Sequence, residues 1–170
     1  MSLKTKTPRI TANDLPESLA RKYKTIYKAR MSHTCKNLMI YCMDFRLEEA
    51  LHQWLVDKGM DHDTDQVSLA GAIKDLVSPQ NPGEAEMILK QIGLSADLHN
   101  IERVVLVNHT DCGGYGGKKA FDHNDEAEKT KHSQDMRRAK EIIQDKWPHL
   151  EVMMVLADIK HDGTIKFLEM

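Results

Sequence analysis

Four short apolar runs, separated by segments with helical spacing, most constrain what this 170-residue chain can fold into. The clearest run is Arg103–Asn108, whose sequence RVVLVN is rich in β-branched residues and predicts a buried strand. Similar runs at Asn37–Cys42, Gln66–Ala70 and Glu151–Ala157 predict its neighbours. Because strands that alternate with helices are typical of α/β domains, we expect a mostly parallel central sheet of about four strands flanked by helices.

The intervening segments predict the helices and loops. One helix ends at Gly59, and two others lie around Met87–Leu98 and Met136–Ile143. Turn residues predict a loop at Ser78–Gly83. The charged residues 116–131 lack a clear apolar pattern, so we expect a surface loop or a frayed helix there.

The two ends of the chain have different expected roles. An Asp-Gly pair favours a tight hairpin into Ile165–Leu168, which predicts an antiparallel C-terminal edge strand. The polar residues 1–12 predict a flexible N-terminus, and a capped Asp-Leu-Pro-Glu start predicts a helical arm over about 13–31. Residues 13–170 are therefore predicted to form a single α/β domain that includes this arm.

Charge and hydropathy narrow the classes of partner. Residues 1–36 carry nine Lys or Arg and two acidic residues, a net charge of +7. This predicts a solvated basic helix or an arm against an acidic surface of a second subunit. Nucleic acid is not expected, because no aromatic residues interleave with the basic ones. No apolar run suits a membrane span or a signal peptide, so we expect a cytoplasmic protein without a membrane partner.

Two motifs follow predicted strands: Cys42–Arg46 (CMDFR) and His109–Gly114 (HTDCGG). Carboxyl ends of parallel strands meet at one edge of the sheet, where α/β proteins bind ligands. Two thiolates and one imidazole suit zinc, and three protein ligands leave a fourth position open for chemistry. The sequence therefore predicts a zinc site formed by Cys42, His109 and Cys112, although two core cysteines and a structural histidine are the alternative.

Asp44 and Arg46 lie beside this predicted site. Asp44 is either a plain turn residue, an acceptor for a proton or hydrogen bond from zinc-bound water, or a fourth ligand that closes the site. Arg46 would keep the Asp44 carboxylate ionised and away from the metal. For Asp111, a hydrogen bond beside the metal and plain exposure are both open.

The other cysteine and two histidines carry little signal in the sequence. Cys35 is expected to be a small half-buried thiol, since disulfides are not expected in a chain without a secretion signal. His123 and His132 lie in or beside the charged segment and are expected to be solvated.

The two motifs resemble the C-x-D-x-R and H-x-x-C-G motifs of β-class carbonic anhydrases. Ser68–Ala72 (SLAGA) falls where that family usually has Arg-Asn-Ala-Gly, and Asp158–Gly163 resembles its final strand turn. The resemblance covers roughly residues 37–168. It implies zinc bound by Cys42, His109 and Cys112, with an Asp44–Arg46 dyad that orients zinc-bound water.

The same resemblance implies reversible hydration of carbon dioxide to bicarbonate by a zinc-bound hydroxide. It also implies a substrate pocket at Ala70, Gly71 and Gly113, and a homodimer or a higher homo-oligomer. Ser68 and Leu69 replace the family's usual Arg and Asn, which removes a polar contact. Two alternatives therefore stay open: a zinc hydrolase of another small electrophile, such as carbon disulfide or carbonyl sulfide, and a non-catalytic zinc protein with a closed site.

Overall fold

The computed structural model describes residues 32–170, so the predicted flexible segment and helical arm lie outside the described residues. The described part contains five strands: Asn37–Cys42 (β1), Thr64–Leu69 (β2), Arg103–His109 (β3), Glu151–Ile159 (β4) and Ile165–Glu169 (β5). Its α-helices are Glu48–Asp57 (α1), Lys74–Val77 (α2), Pro82–His99 (α3) and Asp125–Lys146 (α4). Single 3₁₀ turns lie at Phe45–Leu47, Gly113–Tyr115 and Lys118–Phe121.

The five strands form one sheet in the order β2-β1-β3-β4-β5. The first four strands are parallel, and β5 pairs antiparallel with β4. The predicted α/β architecture with an antiparallel C-terminal edge is therefore confirmed. Because β1 lies between β2 and β3, the winding of the chain reverses there, and ligands of α/β sheets bind beside such a reversal.

Alternating side chains along the strands form the core on both faces of the sheet. On one face, strand residues pack against α3 and α4; the buried set includes Leu38, Ile40, Leu106, Ile92 and Met136. On the other face, they pack against α1; this set includes Met39, Val105, Val107, Leu51 and Trp54. The sheet is thus covered on both faces, and the two motifs lie at the carboxyl ends of its strands.

Two helices begin earlier than their apolar patterns predict. The expectation of a loop or frayed helix over 116–131 is wrong from Asp125 onward, because Asn124 caps α4 by accepting hydrogen bonds from two backbone amides. Likewise, α3 begins inside the predicted loop, where Asn81 and Glu84 form a capping box. Among the helices of residues 32–170, none has the length and apolar character that crossing a bilayer requires.

Candidate metal centre

Cys42 ends β1 directly beside the end of β3. The parallel register pairs Tyr41 with Val107, which brings Cys42 level with the last residues of the neighbouring strand. The Cys42 side chain is buried. The thiol is therefore held by the sheet itself and does not depend on a loop.

A sharp turn after β3 brings His109 and Cys112 to the same place. Asp111 adopts a left-handed backbone conformation (φ 55°), which reverses the chain between them. Thr110 anchors the turn to β4, because its amide donates to the Ala157 carbonyl at 3.1 Å and its hydroxyl accepts from the Ile159 amide at 2.8 Å. As a result, ligand atoms of Cys42, His109 and Cys112 all lie within 4.8 Å of one another.

One thiol and one imidazole nitrogen of this cluster are ready to bind a cation. The two sulfur atoms are 3.8 Å apart, and the hydrogen bond from Cys112 lowers the pKa of Cys42, whereas the same contact and burial raise the pKa of Cys112. His109 Nδ1 is 2.8 Å from the Thr110 carbonyl oxygen, which can only accept, so Nδ1 carries the proton. Nε2 is then an acceptor, and it is buried without a hydrogen-bond partner. A buried, unpartnered imidazole nitrogen beside two thiols fits a metal that prefers nitrogen and sulfur ligands.

The Asp44 carboxylate lies next to this cluster in a two-pronged ion pair with Arg46. Arg46 Nε donates to Asp44 Oδ1 at 2.9 Å, and Nη2 donates to Oδ2 at 2.7 Å. Asp44 Oδ2 is 3.9 Å from His109 Nε2. The hydrogen bonds from Arg46 lower the pKa of Asp44 to about 2, so the carboxylate is ionised at neutral pH.

Two further acidic residues support Arg46. The Asp111 carboxylate accepts from Arg46 Nη1 at 2.9 Å, and its backbone carbonyl accepts from Nη2 at 3.0 Å. The Asp111 amide donates in turn to Glu128 Oε1 at 2.6 Å, and Glu128 is buried. Of the two roles left open for Asp111, a hydrogen bond beside the metal and plain exposure, the structure shows a hydrogen bond, which Asp111 accepts from Arg46. Sequence reasoning missed Glu128, because it lies within the charged segment of α4.

Comparisons with known proteins identify the family of this chain. Residues 32–166 match a protein-family model described as "Putative carbonic anhydrase". The chain belongs to this family. An uncharacterized protein of Rickettsia bellii is 33% identical over 131 residues, covering 76% of this chain and 79% of the relative. An uncharacterized protein of Rickettsia conorii is 30% identical over 132 residues, covering 76% and 69%.

Solved β-carbonic anhydrases share the fold of this member of the family. A tetrameric enzyme from Sordaria macrospora aligns with a TM-score of 0.54 and 19% identity, covering 81% of this chain and 82% of the other. Isoform I from Trichomonas vaginalis gives a TM-score of 0.55 and 12% identity, covering 90% and 92%. At such low identity the likeness concerns the fold alone.

The residues of the predicted substrate pocket do not line the cavity beside the cluster. A cavity of about 490 Å³ borders Cys42 and Asp44, and its lining comes mainly from β1, α1 and β2. Ser68 lines this cavity, whereas Ala70, Gly71 and Gly113 lie outside its described lining. Gly71 instead provides a backbone hydrogen bond that lowers the pKa of the Cys42 thiol.

The two histidines expected to be solvated differ from each other. His123 is exposed, but His132 is completely buried on α4. The His132 ring lies edge-on to Tyr115, with centroids 4.4 Å apart, and its Nδ1 is 3.1 Å from the Asn108 side-chain nitrogen. The expectation for His132 is therefore wrong, because α4 packs this part of the charged segment against the end of β3.

Proposed function

We propose that this protein is a zinc-dependent carbonate dehydratase that catalyses the reversible hydration of carbon dioxide to bicarbonate and a proton. Membership of the family and the Cys42–His109–Cys112 cluster support this proposal. The single observation that carries it is the ionised Asp44–Arg46 pair beside the cluster. A bound zinc ion would lower the pKa of a coordinated water to near neutrality and so supply hydroxide.

The chain's own residues would divide the work between binding and orientation. Cys42, His109 and Cys112 hold the metal through two sulfur atoms and one nitrogen. Asp44 accepts a hydrogen bond from the reacting water and so directs its lone pair toward carbon dioxide. Arg46 keeps Asp44 ionised and fixes the direction of its oxygen atoms.

The ion pair also bears on whether the metal site is open at rest. Both Asp44 oxygens accept hydrogen bonds from Arg46, and this pairing competes with direct binding of the carboxylate to a metal. The arrangement therefore favours an open fourth position over a closed, non-catalytic site. Asp44→Ala separates the two: it abolishes turnover while zinc is retained if Asp44 orients water, and it weakens zinc binding strongly if Asp44 is a ligand.

A homo-oligomer forms part of the proposal. Met43 and Phe45 flank Asp44 in sequence and expose 66% and 85% of their surface, so two large apolar side chains face solvent next to the cluster. The Sordaria macrospora relative is described as tetrameric. We expect a second copy of this chain to cover both side chains, with Ala70, Gly71 and Gly113 near the substrate. A monomeric mass by light scattering at micromolar concentration would contradict this part.

Stopped-flow carbon dioxide hydration tests the activity, on protein whose zinc content has been measured. We expect turnover well above buffer between about pH 6.5 and about pH 9, and a loss of roughly 100-fold or more in Asp44→Asn. Asp145→Asn, at an exposed position on α4, is the control and keeps the wild-type rate. Absence of turnover from fully metallated protein would overturn the proposal, and hydrolysis of carbonyl sulfide or carbon disulfide by that protein would replace it.

A further inference from the structure

A second cluster of metal-ligand side chains lies at the amino ends of the strands, opposite to the carboxyl ends that carry the candidate metal centre. Ligand atoms of Cys35, Asp65 and His99 all lie within 4.8 Å of one another. Cys35 precedes β1, Asp65 is the second residue of β2, and His99 ends α3. These positions are at the amino ends of the strands, where Asp65 is level with Leu38, about 13 Å along β1 from Cys42. The cluster is therefore separate from the candidate metal centre described above.

The cluster is already organised by hydrogen bonds. Asp65 Oδ2 is 2.6 Å from His99 Nδ1 and accepts from the Ser95 hydroxyl at 2.6 Å. The Cys35 amide donates to the His99 backbone carbonyl at 3.1 Å, which ties the segment before β1 to the end of α3. Three separate parts of the chain thus converge before any ion binds.

A second imidazole lies beside His99. The His33 ring centroid is 5.9 Å from that of His99, with the rings tilted by 48°. His33 is exposed and precedes β1, whereas Cys35, Asp65 and His99 are partly buried. The site therefore has an open side through which an ion can enter and toward which His33 can move.

We propose that Cys35, Asp65 and His99 form a second, structural zinc site, with His33 as its fourth ligand. Sulfur, carboxylate and imidazole are all established zinc ligands, and four protein ligands are typical of structural sites. The thiolate and the carboxylate together neutralise the two positive charges of the ion. Binding releases the Cys35 proton to solvent, and Ser95 keeps the carboxylate oriented from outside the ligand set.

A zinc ion here would join the segment before β1 to β2 and α3. An ion that binds only the folded chain stabilises it by mass action, so zinc bound at this site should raise the unfolding temperature even when the first site is empty. This effect does not depend on carbon dioxide hydration and gives the site a readout of its own. Zinc binding at this site can therefore be measured whether or not the protein hydrates carbon dioxide.

Zinc stoichiometry of the full chain tests the proposal. The purified protein is saturated with Zn²⁺, desalted and analysed for metal, and we expect two zinc ions per wild-type chain. Cys35→Ser and His99→Gln should each retain one, and Cys42→Ser should also retain one. His149→Gln, at an exposed position outside both clusters, should retain two. Because Cys42→Ser reports on the first cluster and Cys35→Ser on the second, failure of either site is seen separately.

A thermal measurement in the background of the first-site double variant Cys42→Ser/Cys112→Ser adds a second test. In that background Zn²⁺ should still raise the unfolding temperature, and the additional change Cys35→Ser should abolish the rise. His33→Gln should weaken Zn²⁺ binding at this site by at least about tenfold. Equal zinc content in wild type and Cys35→Ser, both folded by circular dichroism, would overturn the proposal and leave a hydrogen-bonded Asp65–His99 pair only.

Discussion

Arg46 is bound to Asp111 across 65 residues of sequence, at 2.9 Å between Arg46 Nη1 and Asp111 Oδ2. The guanidinium also donates to the Asp44 carboxylate, through Nε and Nη2, and to the Asp111 carbonyl, through Nη2. One cation therefore connects the loop after β1 to the turn after β3. Cys42 and His109 directly precede these two segments, and Cys112 lies in the second. The orientation of Asp44 depends on both connections.

Replacement of Asp111 by Asn should affect turnover more than stability. The Arg46–Asp111 pair is partly exposed, so its loss should cost at most about 1 kcal/mol of unfolding free energy. A loosened Arg46 would misdirect Asp44, and we expect carbon dioxide hydration to fall roughly tenfold with zinc content unchanged. Asp125→Asn removes an exposed ion pair with Lys118 and is the matched control. Equal rates in the two variants would show that Asp111 does not position Arg46.

The close contact of two glycines gives a prediction for stability. A Cβ atom added at Gly114 would lie 2.7 Å from the backbone of Gly71, whereas one added at Gly113 would meet nothing within 4 Å. Gly114→Ala should therefore push apart the loops after β2 and β3 and cost about 1–3 kcal/mol. Gly113→Ala, one residue away, should cost far less. Urea unfolding of both variants measures the difference, and similar midpoints would contradict the close packing.

Loss of the His109 imidazole should remove one zinc ion. His109 Nε2 is buried without a partner in the described structure and is free to bind a metal ion beside the two sulfur atoms. The Gln side-chain amide nitrogen is a donor only, so it cannot replace the imidazole lone pair as a ligand. We expect His109→Gln to contain one zinc fewer than wild type and to lose carbon dioxide hydration. His149→Gln should match wild type in both respects. An unchanged zinc content in His109→Gln would exclude His109 as a ligand.

The residues at the strand ends could be predicted from the sequence, because β1 and β3 are continuous apolar runs. Cys42 and His109 follow from that pattern alone. Glu128 could not be predicted, since it lies on a highly charged helix and is buried only by packing of α4 against the turn after β3. The Cys35–Asp65–His99 cluster depends on the register between β1 and β2 and on the length of α3, which residue spacing does not reveal.

Burial of His132 makes the unfolding free energy depend on pH through this imidazole. Burial lowers the pKa of His132 to about 4 from an ordinary value of about 6.5. Above about pH 6.5 both the native and the unfolded imidazole are neutral, and no stability is lost. As the pH falls from about 6.5 to about 4, the unfolded chain binds a proton that the native protein excludes, so the unfolding free energy decreases.

Unfolding free energies of wild type and His132→Gln across this range test the dependence. The full difference between the two pKa values corresponds to about 3 kcal/mol, lost progressively in the wild type as the pH falls. Gln keeps an acceptor for the Asn108 amide but does not titrate, so the variant should lose less stability over the same interval. His149→Gln, at an exposed position, should follow the wild-type curve. Parallel curves for wild type and His132→Gln would mean that the buried imidazole takes up its proton as readily in the native protein as in the unfolded chain.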